Sequence, residues 1–377
     1  MKLEKWTLAL TAVGVVSLAA VVQAQEQQMS AVQTALSSTT LSGYVDVSAH
    51  WNLGTGTGNN AFYKFGANKD DGFNLNVVQV SLSKPVDETD WAAGYNVDLW
   101  LGPDAAALGT WQGNDEVAIK QAYVVTRLPV ENGLDVKMGV FDSIIGYESD
   151  ESWKNPNYTR SYGRTIEPQT HTGVLGSYRL SDCVAVSAGV ANTIGPEINE
   201  RAHWYGKAES YKAYMGSLAL TAPDTMGFLA GSVLYGGVVN GFSSGLNDTA
   251  TSWYVGATLN TPVTGLKLGV AWDVLDQHNG VGDAWALAVY ASYQATEKLS
   301  LHGRGELYTE NSNQVIPTAD NYQIWALTGT VQYDLWDNVL SRLEVRWDHC
   351  DEGKYFTSAT GPRRNSVLLA ANLVYKF

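Results

Sequence analysis

From Leu41 onward the chain alternates apolar and polar residues with a period of two. In residues 41–53, Leu41, Gly43, Val45, Val47, Ala49 and Trp51 alternate with Ser42, Tyr44, Asp46, Ser48, His50 and Asn52. That spacing gives a strand one apolar and one polar face. Similar runs predict sixteen strands, at about 41–53, 73–84, 91–101, 117–127, 134–142, 172–180, 184–193, 211–221, 228–238, 251–261, 266–275, 284–294, 299–308, 322–333, 339–349 and 366–377. The alternation slips in 73–84 and 117–127. Most of these runs have the ~9–11 residues that a tilted membrane strand needs.

The connectors alternate as well. Those near 85–90, 128–133, 181–183, 222–227, 262–265, 295–298 and 334–338 are short, whereas most of the others, above all 143–171, are longer. Short turns at one end and long loops at the other predict an all-β transmembrane barrel with an even number of antiparallel strands and both termini on the periplasmic side. A soluble sandwich also alternates. Here, however, the apolar face carries Trp51, Trp253, Trp272, Trp285, Trp325 and Trp347 at loop-side ends, with Tyr178, Tyr293, Tyr333, Tyr375 and Phe377 at turn-side ends. Two such belts suit two membrane interfaces, and closure leaves no backbone edge unbonded in lipid.

The N-terminus supplies an export address. Lys2 and Lys5 precede an apolar run from Trp6 to Val22, and Val22-Gln23-Ala24 fits a small-residue cleavage site. Residues 1–24 therefore read as a secretory signal peptide, cleaved after Ala24, and 25–40 as a short periplasmic segment before a barrel domain at 41–377. No later run approaches a membrane-spanning helix. Composition agrees: charged residues are 16% of the 377-residue chain, and 38 acidic against 24 basic residues give a net charge of −14. That charge excludes nucleic acid as the expected partner. The last strand ends on Phe377 and resembles the C-terminal signal read by the outer-membrane assembly machinery.

Three stretches carry a family resemblance: Leu75–Gln79 through Trp91–Pro103, Lys120–Tyr123 through Gly139–Glu148, and Asn155–Gly163 to His171–Val174. The chain resembles the OmpL-like outer-membrane β-barrel porins. The resemblance implies an outer-membrane location and passive diffusion of small hydrophilic solutes, without fixing the solute. By analogy with sixteen-stranded porins, it also implies a possible homotrimer and a loop after the fifth strand that folds inward to constrict the pore.

Strand parity puts Asp46, Asp98, Asp135, Asp273, Glu306, Glu344 and Asp348 on the inner face, with Lys137, Lys267, Arg304, Arg342 and Arg346. Walls of fixed charge set ion selectivity; the alternative is a set of cross-strand ion pairs that only line water. The long connector 143–171 carries Glu148, Asp150, Glu151, Lys154, Arg160, Arg164 and Glu167, and is either the constriction loop or an ordinary extracellular loop. The near-balanced wall and the acidic connectors together predict weak cation selectivity.

No catalytic constellation, metal-ligand spacing or cofactor motif is found. Gly54–Gly58 reads as a flexible loop. His349 and Asp348 are adjacent and point to opposite faces. A barrel lipase or protease, or an adhesin-like structural barrel, remains the alternative class. Cys183 and Cys350 fall at opposite ends of the strand map and are expected to stay free thiols.

Overall fold

A computed structural model describes residues 32–33, 39–53, 69, 71–89, 91–110, 116–278, 282–311, 322–351, 354–356 and 361–377. The expected signal peptide, most of segment 25–40 and the Gly54–Gly58 loop lie outside them.

Sixteen long strands follow in order: β1 (Thr40–Asn52), β2 (Gly72–Lys84), β3 (Ala93–Leu101), β4 (Val117–Leu128), β5 (Leu134–Asp142), β6 (Thr170–Ser181), β7 (Val184–Ala191), β8 (Ala213–Thr221), β9 (Val233–Ser243), β10 (Asp248–Asn260), β11 (Leu266–Gln277), β12 (Ala284–Gln294), β13 (Leu299–Glu310), β14 (Tyr322–Trp336), β15 (Val339–Cys350) and β16 (Asn365–Lys376). Each pairs antiparallel with the next. β16 returns to β1 over Leu368↔Asn52 to Lys376↔Tyr44, which closes the barrel. Beyond that register, Gly43 and Phe377 exchange backbone hydrogen bonds of 2.9 and 3.0 Å. A two-residue piece, Val32–Gln33, adds antiparallel to the start of β1.

Burial alternates with the sequence pattern. On β15, Arg342, Glu344, Arg346 and Asp348 are buried inside, whereas Leu343, Val345 and Trp347 are exposed on the outer face. Trp51, Trp253, Trp272 and Trp325 are exposed at the loop-side end, and Tyr293, Tyr333 and Tyr375 at the turn-side end. The two strands with slipping alternation each contain a β-bulge. One shifts the β1–β2 register at Asp46/Val47 and leaves Asn76 as the extra residue. The other shifts β3–β4 at Asp98/Leu99 and leaves Lys120 extra. A bulge re-aims a side chain, and both residues are buried inside, Asn76 donating to Asp46 and Lys120 to Asp142.

One strand is displaced from its expected range. β9 starts at Val233 rather than near 228, because a 3₁₀ turn at Asp224–Leu229 extends the preceding connector. Gly227 and Gly231, with φ of +61° and +77°, supply left-handed backbone there, and the turn closes through Ala222–Ser232 and Gly231–Ala222 hydrogen bonds. The loop expected at 239–250 shrinks accordingly to the four residues between Ser243 and Asp248. Cys183 lies in the β6–β7 turn and Cys350 ends β15 at the loop side, and no disulfide joins them.

The closing seam tolerates no side chain at Gly43, where a methyl group would run into the Gln79 carbonyl and the Phe377 ring. Gly43→Val is expected to lower the temperature at which the folded band converts to the unfolded one on a semi-native gel, at a cost of about 1–3 kcal/mol. Gly329→Ala on β14, which meets nothing within 4 Å, should leave that temperature unchanged.

Candidate functional site

The connector between β5 and β6, residues 143–169, lies inside the barrel. A loop in that position must hydrogen-bond backbone groups that a neighbouring strand would otherwise satisfy. The wall supplies those bonds from paired Arg and Glu side chains of β13 and β15. Glu344 accepts from the backbone N–H of Tyr158 (2.6 Å) and Thr159 (2.9 Å), and Glu306 accepts from that of Tyr162 (2.7 Å). Arg304 donates to the Thr159 carbonyl (2.8 Å), Arg346 to that of Arg160 (2.6 Å), and Arg342 to those of Asn155 (2.9 Å), Asn157 (3.1 Å) and Ser152 (3.1 Å). The loop adds internal bonds: Arg160 binds the carbonyls of Ser149, Tyr158 and Asp150. Ser161 caps a short helix, α1 (Tyr162–Ile166), by accepting from the Arg164 N–H.

The charges pair off. Arg304 bridges Glu148 (2.8 Å) and Glu306 (2.7 Å), Arg346 holds Asp348 (2.8 Å), and Arg164 holds Asp150 and Glu167 (both 2.7 Å). Lys120, the bulged residue of β4, binds Asp142 (2.6 Å) and faces Glu151 (3.7 Å), which also meets Lys154 (3.0 Å). Burial works to raise the Glu151 carboxyl, but Lys120 and Lys154 outweigh it and hold that carboxyl well below the usual carboxylate range. Tyr162 stacks on Tyr308 and donates to Asp348, and Tyr158 donates to Ser48 on β1.

The loop's first arm meets a different surface. Ile144, Ile145 and Tyr147 pack against Leu175, Met215, Tyr235 and Val239 on the inner face of β6–β9. Gly237 makes room for Ile145, the Tyr235 hydroxyl donates to the Ile144 carbonyl, and Tyr147 stacks on Tyr290 at 4.2 Å. One side of the lumen therefore grips the loop by charge and the other by apolar contact.

The remaining inward charges lie around this core. Asp46 accepts from Asn76 and Asn372, Asp98 from Asn96 and Gln121, and Asp135 pairs with Arg127 at 2.8 Å. Lys137 sits over the Tyr123 ring at 4.8 Å, and Lys267 on β11 is partly exposed. Asp273 is buried beside α1. The structure thus brings Glu148, Asp150, Glu151, Lys154, Arg160, Arg164 and Glu167 together with Arg304, Glu306, Arg342, Glu344, Arg346, Asp348 and Asp273, and leaves Asp46, Asp98, Asp135, Lys137 and Lys267 on the wall. Parity reasoning did not single out Lys120, Asn155, Asn157 or the apolar half-wall. The slip in alternation marks Lys120. On β8 the outer face carries Tyr214, Leu218 and Leu220 and the inner face Met215 and Ala219, so Ser217 is the one polar residue between them and the inward polar signal is weak.

At the mouth, a second short helix precedes β4. This helix, Pro103–Leu108, places Asp104 against Lys69. Burial outweighs the opposing pull of Lys69 and leaves the Asp104 carboxyl raised to about 6. Among the described residues, no cluster of His, Cys, Asp and Glu could hold a metal ion.

A closed sixteen-stranded barrel with a loop folded into its lumen defines the porin class of outer-membrane protein. The family model described as "Putative beta-barrel porin-2, OmpL-like" matches residues 38–377, and the chain belongs to that family. No curated protein matches it. Among solved structures it is similar to the outer membrane channel DcaP of Acinetobacter baumannii, with a TM-score of 0.60 at 12% identity over 92% of this chain and 99% of that one. It is also similar to the trimer form of OmpT of Vibrio cholerae (TM-score 0.59, 15% identity, 90% and 99% covered). An anion-selective porin from Comamonas acidovorans is equally similar (TM-score 0.59, 13% identity, 90% and 99% covered). At these identities the likeness is one of fold.

Arg304→Ala would leave Glu148 and Glu306 buried without their cation. Breaking one partner of such a network costs about 3–5 kcal/mol. The variant's loop is expected to become cleavable by trypsin at Lys154 or Arg160 in detergent-solubilised barrel, while the wild-type loop resists.

Proposed function

We propose that the chain is a general-diffusion pore of the outer membrane, passing small hydrophilic solutes and ions with a weak preference for cations. Family membership across residues 38–377, on a closed barrel with a charged inner face, carries this reading. Asp348 lies inside and His349 outside, so they do not form a catalytic pair, which favours a channel over a barrel hydrolase. Removal of residues 1–24 by signal cleavage, delivery by the assembly machinery through the strand ending at Phe377, and assembly as a homotrimer belong to the same proposal. A native gel in mild detergent tests the last, and a monomer would remove it.

The charge argument for selectivity has two parts. Acidic side chains such as Glu116, Glu197 and Asp351 lie in loop-side connectors and concentrate cations at the mouth. Inside, seven inward strand carboxylates face five inward cations, and most of both are tied up in the loop network. A near-neutral wall discriminates little. The mouth field is long-range and screened by salt, over ~30 Å at 0.01 M but ~3 Å at 1 M.

Reversal potentials across a salt gradient in a planar bilayer are expected to show a weak cation preference that fades as salt rises; an anion preference would sink the claim. Lys137→Glu with Lys267→Glu should strengthen the preference, because these two partly exposed side chains lie apart from the loop network. Arg342→Glu with Arg346→Glu is expected to raise conductance as well, since both side chains hold the loop.

A further inference from the structure

Most cations of the lumen are cancelled on the spot. Arg304, Arg346, Arg164, Lys120 and Arg127 each hold a carboxylate, and Arg342 holds loop carbonyls. Lys137 on β5 and Lys376 on β16 differ. The Lys137 ammonium lies over the Tyr123 ring at 4.8 Å and that of Lys376 over the Trp153 ring at 5.3 Å. Among the described residues neither lysine forms an ion pair. A carboxylate partner would cancel the charge. A ring face positions the ammonium through its quadrupole, and leaves the net charge and free N–H donors to whatever else approaches.

Both lysines face open space. At the level of the loop, inward side chains such as Tyr254, Arg304 and Arg346 are buried. Nearer the turns, Ser42, Lys137, Ser177, Lys267, Gln332 and Lys376 are only half-buried, so that half of the lumen is a vestibule. Lys376 shares its inward parity with Asn372 and Val374, and Lys267 with Ala271 and Asp273. Lys137 is the fourth residue of β5 from the turn, Lys267 the second of β11, and Lys376 the last of β16. These strands are six, five and five apart around the sixteen, so the three cations stand at nearly equal intervals around the vestibule. Arg179, inward near the end of β6, adds to the same sign. Among the described strand carboxylates there, Asp135 is held by Arg127, whereas Asp334 on β14 is half-buried and accepts from Gln332 at 3.3 Å. The acids of the turns, such as Glu131, Asp182 and Glu297, are exposed at the rim, where salt screens their field over ~8 Å at physiological strength.

We propose that Lys137, Lys267 and Lys376 form a ring of cations in the turn-side vestibule that binds small oxyanions, the chemistry shared by phosphate and carboxylate solutes. Rings of Lys or Arg are how a pore wall favours such ions, and a lysine ammonium is a compact charge suited to phosphate. The lysines stand on separate walls, so each offers a weak site of its own. A pore needs sites of that kind, because a solute has to leave as readily as it enters. The acidic loop-side mouth sets the preference among simple ions, while the ring gives oxyanions a place to dwell.

The ring rests on the porin reading, and the experiment separates the two. Millimolar inorganic phosphate is added to potassium chloride at constant ionic strength, and single-channel current of the purified protein is recorded in planar bilayers. Mean current through the wild type is expected to fall in a saturating manner. Lys137→Gln with Lys376→Gln should need several-fold more phosphate for the same fall, and adding Lys267→Gln should raise that need further. Lys137→Arg with Lys376→Arg keeps the charges and should respond as wild type does, as should Lys298→Gln, which alters an exposed lysine of the β12–β13 turn. A wild type indifferent to phosphate would overturn the ring and leave the pore standing. So would a glutamine pair that responds like wild type, or equal loss in the arginine pair or in Lys298→Gln. Absence of channel steps in every protein would instead overturn the porin reading. The ring is then read without conduction, by equilibrium dialysis of radiolabelled phosphate against protein in non-ionic detergent. The glutamine pair should retain several-fold less phosphate than the arginine pair, and equal retention would overturn the ring. Heat-modifiable gel mobility checks that each variant has folded.

Discussion

The satisfaction of loop backbone groups by wall side chains is the constraint on which the interior depends. A polypeptide segment inside a closed barrel has no free strand edge to pair with, yet its N–H and C=O groups are shielded from bulk water. Alternating Arg and Glu residues on β13 and β15 solve this. Guanidinium groups of Arg304, Arg342 and Arg346 take the carbonyls, and carboxylates of Glu306 and Glu344 take the amides. Because strands are ~5 Å apart, β13 and β15 flank β14 about 10 Å from each other, and with inward residues at every second position they present a grid of donors and acceptors to the loop. The same side chains neutralise one another across the grid, so the buried charges do not stand alone.

The two halves of the lumen follow from this arrangement. The charged half reads backbone and fixes the loop's register. The apolar half, with Leu175, Met215, Tyr235 and Val239, only has to be complementary in shape to Ile144, Ile145 and Tyr147. A mobile segment is more easily released from non-directional apolar contact than from a network in which each lost bond strands a buried charge.

The architecture was largely legible in the sequence, for a definite reason. In a barrel that faces lipid outside and water or polar groups inside, every strand must alternate, and the ends must carry aromatic rings. Strand ranges read from alternation therefore agree with the structure to within three residues at every strand but β9. There the cue was misleading because Gly227, Phe228 and Leu229 look strand-like while a left-handed glycine keeps them in a turn. The weak alternation in β2 and β4 was itself information, since each hides a bulge.

By itself the sequence determined the alternation, the strand count, the two belts and the inward parity of Arg304, Glu306, Arg342, Glu344, Arg346 and Asp348, because each of these is a local property of spacing. Tertiary structure alone decided what those inward side chains touch. Glu148 and Arg304 are 156 residues apart, and Arg342 and Asn155 are 187 apart. No local pattern encodes such pairings. They arise when closure of the barrel brings one long connector against strands from the far end of the chain.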